Sequence, residues 1–517
     1  MIRMVICLML FLLSKENGVS QVDNIPADFV YLYDYVTQYH PDIKSSELQL
    51  ECAISERQSA RGVFDINLIS DLSYSFDQNG LFNQDPRTDI IGSNLNAHNL
   101  SVSSGVSRRF RSGLDASVSL GYRRSTNNFP INAFNENIGP FIADNTTSVN
   151  VSLSYALLRN QGKDIITAGE GLADLNIAAQ SSNLRTTVSQ SVFSMTLAYW
   201  EYLLASESYK AFKANEVRVS QLLDKTKQLV EAERRPESDL IQIEADLQDK
   251  LRQTYFAAQQ KVASKINLGR ASGLDTDQSD GITDPLSRFP EALDVTEVPN
   301  LERYLALARV HRPDLQVLRE ILKQFEINKS LAENNTKPQL DLRAFSSYSG
   351  FQNGNGLTNF LSALAQSQGR NYQTGLGLSY SFPVQNNFAK GAELKASFQL
   401  EDQQVRLDNT VRNIELNISI AHSNLLNSIE TVEKAKSALD YYKEVYDNEQ
   451  IRFQSGLTTL LNVIIFQERL TFAELDYLRA QFQQASAIAE LRFRTGINTL
   501  LEGRSDTITD LFYTLPR

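Results

Sequence analysis

The sequence predicts a mainly helical protein with a smaller set of β-strands, arranged as two tandem repeats. The order within each repeat is short helix, strands, long coiled-coil helix and return helix. The first repeat opens Tyr39-His40-Pro41-Asp42-Ile43 and the second His311-Arg312-Pro313-Asp314-Leu315. The alternating strands that follow lie at 149–155 and 376–382, and the long proline-free helical patterns at 165–233 and 386–453. Such self-similarity defines the architecture before any single residue is considered.

Composition excludes several classes of protein. The chain has 517 residues, and its net charge of -11 argues against a nucleic-acid partner. No internal apolar run approaches the ~18 residues that a membrane helix needs.

The N-terminus carries the pattern of an export signal. Arg3 precedes an apolar run at 4–13, and the small residues Gly18 and Ser20 stand before Gln21. The pattern predicts a secretory signal peptide over residues 1–20, the alternative being a buried N-terminal helix. Cys52 is then the single cysteine left, so no internal disulfide framework is expected.

Each repeat begins with shorter helices, predicted at 28–62 and 298–334. Pro41 and Pro313 sit at matching places within them.

Strands follow, with apolar residues alternating with serine and glycine. We predict strands at 66–77, 99–111, 113–125 and 147–158 in the first repeat and at 340–349 and 373–383 in the second. Alternation means one apolar and one polar face. A membrane barrel has this pattern, and so does a soluble half-buried sheet. The hairpin at 99–125 either joins the other strands or lies outside them as a decoration.

The long helices have a coiled-coil period. From Val411 to Tyr446, ten steps of an apolar seam cover 35 residues, a mean spacing of 3.5. A helix of ~68 residues spans ~100 Å. Turns near Pro236 and Gly456 lead to return helices, which we expect to end near Gly269 and Gly496.

The division into segments follows from these patterns. The first repeat spans 21–270 and the second 298–502. An acidic, irregular linker spans 271–297, and an irregular tail spans 503–517.

This order of parts resembles the TolC family of outer-membrane efflux factors, over nearly the whole mature chain. Gly456-Leu457-Thr458-Thr459-Leu460-Leu461-Asn462-Val463 is similar to the family's helix–turn–helix tip. Leu153-Ser154-Tyr155-Ala156-Leu157-Leu158-Arg159-Asn160 is similar to its strand exit into the long helix.

The resemblance implies a homotrimer with one shared outer-membrane β-barrel and a periplasmic α-barrel tunnel. The family's barrel has twelve strands, and eighteen follow if the 99–125 hairpin joins. It also implies a passive exit duct of a tripartite efflux or type I secretion system. The implied partners are a periplasmic adaptor (membrane fusion) protein, an inner-membrane pump or ABC transporter and outer-membrane lipid.

The two tips are the implied adaptor-docking site. Their residues are Arg234, Arg235, Pro236, Asp239, Gly456, Leu457, Thr458, Asn462 and Val463. In the first tip, Glu233 replaces the turn glycine, so Pro236 is expected to set the turn. In the second tip, Thr458, Asn462 and Ile465 stand where some members carry an arginine and acids, which argues against a charge-locked gate here.

The same region holds a candidate aperture constriction. Its residues are Asp239, Phe453, Leu460 and Asn462. Phe453 and Leu460 have ordinary helix packing as their alternative role. Asp440, Glu444, Asp447 and Glu449 form either a solvated helix face or an acidic lumen.

Nothing in the sequence indicates catalysis or a cofactor. The four histidines lack ligand-like spacing, and no HExxH, P-loop or GxSxG motif occurs. We therefore expect a channel and not an enzyme. The alternative is an exported coiled-coil spacer or adhesin without a pore, which would not need the alternating strands.

Overall fold

A computed structural model describes residues 25–85, 88–128, 143–354, 359–365, 369–499 and 507–516. Helices make up 65% of the described residues, and the rest includes one β-sheet. The predicted signal peptide at 1–20 lies outside the described residues. Within the described residues, no helix is both long and apolar enough to cross a membrane.

The helices are of very unequal length. They are α1 (Phe29–Tyr39), α2 (Pro41–Arg61), α3 (Thr88–Ile91), α4 (Lys163–Ile166), α5 (Ala168–Glu231), α6 (Ser238–Ser272), α7 (Thr276–Asp280), α8 (Leu301–His311), α9 (Pro313–Asn335), α10 (Asn359–Ala365), α11 (Asn387–Gln454), α12 (Leu460–Thr495) and α13 (Ile508–Tyr513). The two long helices, α5 and α11, lie within a few residues of their predicted bounds. Pro41 and Pro313 each begin a helix, as expected for a residue that needs no intrahelical donor there.

The strands all belong to one antiparallel sheet. They are β1 (Ile66–Gly80), β2 (Asn94–Arg109), β3 (Leu114–Asn127), β4 (Asp144–Ala156), β5 (Gln339–Asn353) and β6 (Gly369–Ser381), and they pair in chain order. The hairpin β2–β3 therefore lies inside the sheet, between β1 and β4.

The described residues form two compact units. One comprises 1–50, 180–318 and 407–517, and the other 51–179 and 319–406. The second unit contains the sheet.

The register of the sheet aligns its side chains into two contrasting faces. The apolar face carries Leu68, Leu72, Tyr74, Val102, Val106, Val118, Leu120, Tyr122, Val149, Val151, Leu153, Tyr155, Leu342, Leu376, Leu378 and Tyr380. The polar face carries Ser73, Ser101, Ser103, Gly105, Ser107, Ser117, Ser119, Gly121, Ser148, Asn150, Ser152, Ser154, Ser347, Ser349, Gly375, Gly377 and Ser379. Alternation along every strand thus adds up to a sheet with two chemically distinct surfaces.

Aromatic residues mark both ends of the apolar face. Tyr372 and Tyr380 lie eight residues apart on β6, about 26 Å along the strand. Tyr348 pairs opposite Tyr372 at one end, and Tyr155 lies at the other. Two aromatic rows about 25 Å apart are the pattern of a membrane-facing strand set.

In the other unit, an aromatic core surrounds Phe29 of α1. Its ring centroid lies 3.8 Å from that of Tyr199, 4.1 Å from Phe512 and 4.6 Å from Trp200. Truncation of such a buried ring to alanine costs about 3–5 kcal/mol. A separate core contains the predicted α11 seam, with Ile414, Ile418, Ala421, Leu425 and Ile429 buried.

The tail differs from expectation, since it is helical and docked instead of irregular. A capping box at Thr507 begins α13, and Phe512 enters the aromatic core. Arg492 of α12 is 2% exposed and donates to the carbonyls of Thr514 and Leu515 at 2.6 and 3.3 Å. The guanidinium therefore holds the tail by its backbone.

One return helix ends later than predicted. Gly496 caps α12 with a φ of 77°, as expected, but α6 continues past Gly269 to Ser272 and is capped by Gly273. Gly269 has a packing role instead, because a Cβ there would lie 2.0 Å from Ser279 Oγ on α7. The predicted linker is thus partly ordered and contains α7.

Candidate functional site

The two helix–turn–helix tips have the same backbone turn. In the second tip, Leu457 N donates to Arg452 O at 2.9 Å and Gly456 has a φ of 75°. In the first tip, Arg234 N donates to Leu229 O at 2.9 Å and Glu233 has a φ of 56°. This pattern closes a helix with one residue in the left-handed region.

Glu233 therefore makes the first reversal itself, in the position that Gly456 occupies in the second tip. The expectation that Pro236 sets this turn is wrong. Pro236 follows the reversal and accepts a hydrogen bond from Asp239 N at 3.1 Å, where α6 begins. A side chain in the left-handed region costs about 1–2 kcal/mol.

Arg235 joins the two tips. Its guanidinium lies 4.7 Å from the ring centroid of Phe453, and its Nη2 donates to Thr458 O at 2.7 Å. The first contact is a cation–π interaction and the second a charge-assisted hydrogen bond to the other turn.

Beneath Arg235, the second turn is held by a buried carboxylate. Glu449 is 6% exposed and accepts hydrogen bonds from Thr458 Oγ1 and from Arg452 Nη1, the latter at 3.2 Å. Asn462 Nδ2 donates to Thr458 Oγ1 at 3.0 Å. The sequence offered Glu449 two roles, a solvated face or an acidic lumen, and the structure places it in neither. Asp440, Glu444 and Asp447 are exposed.

Phe453, Leu460 and Val463 lie in the apolar core shared by the tips. They are at most 2% exposed and belong to one cluster with Ile243 of α6 and Val219 of α5. The helix-packing role is the one that the structure gives to Phe453 and Leu460. Asp239 and Asn462 differ, since Asp239 is half-buried and Asn462 is exposed.

The outward surface of the tips carries charges of both signs on one turn, where Glu233, Arg234 and Glu237 are exposed, and is apolar on the other. Arg234 and Pro236 are exposed on the first turn. On the second, Leu457 is 70% and Leu461 is 51% exposed. A surface groove at the second tip is lined by Val445, Asn448, Glu449, Arg452, Leu457, Thr458, Thr459, Asn462 and Phe466.

Polar layers cross the helices behind the tips, and sequence reasoning missed them. Arg218 of α5 pairs with Glu474 of α12 at 2.9 Å, and Lys250 of α6 lies 3.2 Å from Asp246 and 3.6 Å from Glu468. Burial raises the pKa of Asp246, although the attraction of Lys250 opposes the shift. In the sequence, such layers are indicated only by a charged residue at a position of the apolar seam. That residue does not indicate which side chain it pairs with.

A comparison with family models relates part of the chain to a known protein family. Residues 304–496 match the model described as Outer membrane efflux protein. Over these residues the chain is similar to the outer membrane efflux protein family. The family is one of channels and not of enzymes, and its members generally form trimers and work with efflux pumps and adaptors. No curated protein matches the sequence.

The fold of this chain is similar to that of solved outer-membrane channels. The outer-membrane channel OprN is 13% identical with a TM-score of 0.65, over 90% of this chain and 89% of that one. The CmeC outer membrane channel of Campylobacter jejuni is 14% identical with a TM-score of 0.62, over 96% and 92%. VceC of Vibrio cholerae is 14% identical with a TM-score of 0.63, over 90% and 96%.

The family match over residues 304–496 and the likeness to solved channels both support an outer-membrane exit duct for efflux. A spacer without a pore is not favoured, because it would not need the two-faced sheet. Among the described residues, no group of three or more histidine, cysteine, aspartate or glutamate side chains is placed to hold a metal ion.

Proposed function

We propose that three copies of this chain form one conduit, with a shared β-barrel in the outer membrane and a periplasmic tunnel of long helices. The observation that carries this proposal is the six-stranded sheet, apolar on one face and polar on the other. The wall of a membrane barrel needs such a sheet, because its outer face contacts lipid and its inner face contacts water.

The edges of the sheet support closure by neighbouring copies. Strand β1 lies at one edge of the sheet and is exposed along its length, so the edge that does not pair with β2 is available to a partner strand. With an even number of strands per chain, β6 of one copy runs antiparallel to β1 of the next. A head-to-tail contact that repeats around an axis closes into a ring.

The return helix α6 supports contact between copies in the tunnel. Its exposed face has a coiled-coil spacing of alternating fours and threes: Ile241, Ala245, Gln248, Arg252, Tyr255, Gln259, Val262 and Ile266. Tyr255 is 75% and Ile241 is 71% exposed. A second copy is the proposed occupant of this seam, since a soluble single helix would not need it. A groove between α11 and α12, lined in part by Ala435, Ala438 and Phe472, is the proposed receiving surface.

The tips are proposed to dock a periplasmic adaptor that couples the duct to an inner-membrane pump or ABC transporter. The exposed Arg234 offers charge and Leu457 offers apolar area. Arg235, Thr458 and Val463 support these residues from within. Asp239 and Asn462 are the proposed aperture residues, because their side chains reach solvent.

The chain is proposed to be exported and to consist of two repeats with a linker and a tail. Residues 1–20 serve as the signal peptide, and 21–270 and 298–502 as the two repeats, joined by the linker at 271–297 and followed by the tail at 503–517. The chain takes no nucleic acid and no cofactor.

Disulfide trapping tests the shared barrel. In a Cys52→Ser background, Ser73→Cys on β1 is combined in turn with Gln373→Cys, Gly375→Cys, Gly377→Cys and Ser379→Cys on β6. We expect at least one pair to give covalent dimers and trimers on oxidation. Ser119→Cys on the inner strand β3 is the control, because both neighbours of β3 belong to its own chain. No intermolecular product from any pair would contradict the shared barrel.

Adaptor capture tests the docking surface. Arg234→Glu and Leu457→Glu are each expected to lower capture of the cognate periplasmic adaptor. Arg303→Glu, an exposed charge reversal on α8, is the matched control and should leave capture unchanged. Equal capture by all three variants would overturn the assignment of the tips.

A further inference from the structure

We infer that the outlet is an eighteen-stranded barrel, from six strands in each of three copies, whose wide lumen lined by serine and glycine passes bulky hydrophilic cargo of either charge. The inference rests on the proposed trimer. It departs from the twelve strands implied by the family resemblance.

The hairpin β2–β3 is paired on both sides throughout. The pairing of β2 with β1 runs from Ile66–Arg108 to Gly80–Asn94. The pairing of β3 with β4 runs from Leu114–Tyr155 to Ser125–Asp144. A decoration outside the barrel would leave β1 and β4 to pair with each other. Here they have no common edge.

The two faces continue across the hairpin without a break. Leu68, Val106, Val118 and Val151 form one row across β1 to β4 on the apolar face. On the polar face, Ser107 pairs with Ser117, and Ser117 with Ser152. Because one slipped residue would reverse the faces, this match indicates that the hairpin shares the environment of its neighbours.

The hairpin turn is also fixed to the helical part of the same unit. Arg111 donates to both carboxylate oxygens of Glu170 at 2.9 and 2.6 Å, and its guanidinium lies 4.7 Å from the centroid of Phe64. Arg108 Nε donates to Phe64 O at 3.3 Å. The turn arginines are thus partnered within the chain, and the hairpin is held at its base.

The polar face has the features of a lumen wall. A surface pocket is lined by seven residues of this face: Asn67, Ser107, Arg109, Asp115, Ser117, Ser152 and Ser154. Two of its glycines, Gly105 and Gly375, leave room for side chains packed beside them, whereas Gly377 has open space. Ile69, Phe345 and Phe351 are large apolar side chains on this otherwise polar face. A Cβ at Gly375 would lie 2.7 Å from the ring of Phe345, and one at Gly105 would lie 2.9 Å from Ser119 Cβ. Small side chains leave the interior open.

The charges on this face are of both signs. Arg109 pairs with Asp115 at 2.8 Å. Arg123 and Arg343 lie on the same face as Asp71, Asp77, Asp144 and Asp341. Rings of a single sign give strong charge selectivity, so this mixture of three arginines and five aspartates per chain predicts only a weak preference for cations.

The described part of the β5–β6 connection lies on the other face. Tyr122 meets Phe360 of α10 with ring centroids 5.4 Å apart, Thr147 Oγ1 donates to Phe360 O at 3.1 Å, and Tyr348 Oη donates to Leu364 O at 3.3 Å. All three strand residues belong to the apolar face. Helix α10 therefore takes no lumen space.

Strand number sets the width of the outlet. Barrel diameter grows roughly linearly with strand number, so eighteen strands give about 1.5 times the diameter of twelve. Closed barrels of 16–18 strands leave an aqueous channel.

Current block by thiol reagents tests the place of the hairpin. In purified Cys52→Ser channels, Ser103→Cys and Ser119→Cys are modified with a bulky, water-soluble maleimide while the bilayer current is recorded. We expect each to lower the current as Ser152→Cys on β4 does. Val118→Cys, on the apolar face, should leave it unchanged. Unchanged current at both hairpin positions, with block at Ser152→Cys, would overturn the inference while leaving the channel intact.

Polymer exclusion tests the width. Polyethylene glycols of graded size are added on the barrel side, to the wild type and to a variant lacking residues 94–127. Removal of two antiparallel strands keeps the alternation, so β1 can pair with β4. We expect the wild type to admit polymers of about 1.5-fold larger radius.

A solved channel with a twelve-stranded barrel, measured in parallel, is the reference if the shortened variant does not fold. If the largest polymer that enters the wild type is the same size as for the reference, the eighteen-stranded outlet is contradicted. A strong reversal potential in a salt gradient would contradict the mixed-charge lumen. A wild type with no current at all would contradict the proposed function itself.

Discussion

Arg235 of the first tip covers Phe453 of the second, with its guanidinium 4.7 Å from the ring centroid. The same side chain donates to Thr458 O at 2.7 Å. One residue therefore seals the apolar core of the tips and fixes the backbone of the opposite turn. Arg234, next in sequence, is exposed, so the two arginines have different roles.

Arg235→Ala is expected to loosen the second turn. Loss of the cation–π contact and of the hydrogen bond should lower the local opening free energy of residues 453–463 by about 1–2 kcal/mol. Hydrogen exchange of these amides measures the change. Arg234→Ala is the control and should leave protection as in the wild type. Equal protection in the two variants would contradict the clamp.

Glu233→Gly is expected to stabilise the first turn by about 1 kcal/mol, because glycine adopts the left-handed region without steric cost. Gly456→Ala should destabilise the second turn by a similar amount. Hydrogen exchange of the amides at residues 229–236 and 452–459 measures the change in stability of each turn. Opposite signs for the two substitutions are the outcome to expect, and a destabilising Glu233→Gly would refute the shared turn geometry.

Arg492→Met is expected to release the C-terminal tail. The buried carbonyls of Ile497, Thr514 and Leu515 would lose their donor, at about 1–3 kcal/mol for each unsatisfied group. Limited proteolysis within residues 507–516 should become faster. Arg494→Met, at a half-buried position two residues away, is the matched control. Faster cleavage of the tail in Arg494→Met alone would contradict the role of Arg492 in holding the tail.

The Arg111–Glu170 pair is expected to give acid-sensitive stability. The hydrogen bonds from Arg111 lower the pKa of Glu170 in the folded state below its ordinary value of 4.5. Its contribution is therefore complete above pH 4.5 and is lost as the pH falls through the lowered pKa. The melting temperatures of the wild type and Glu170→Gln should differ above pH 4.5. They should converge once the pH is below the lowered pKa of Glu170. A constant difference would rule out the ion pair as its source.

The sequence predicted the long helices well because their seams are long and regular. The bounds of α11 differ by one residue from prediction at each end. The faces of the strands were predicted by the same logic. Periodicity does not report partners, however, so it could not place the hairpin between β1 and β4.

Single residues with unusual roles were the hardest to predict. Glu233 stands where the motif has its turn glycine, and it keeps the left-handed backbone of that position although the side chain disfavours it. Gly269 resembled a helix end but serves the close approach of Ser279. Glu449 looked like part of an exposed acidic run, and its burial depends on Thr458, which the turn brings back to it. The docking and aperture residues remain predictions, as does the division into repeats.

Single-channel recording of the purified protein in planar lipid bilayers tests the central claim most directly. The account predicts stable trimers that insert and carry current, with block on modification of a cysteine placed at Ser152 on the polar face. A folded trimer that inserts into the bilayer and carries no current under any voltage or salt condition would contradict the assignment of this chain as an exit duct.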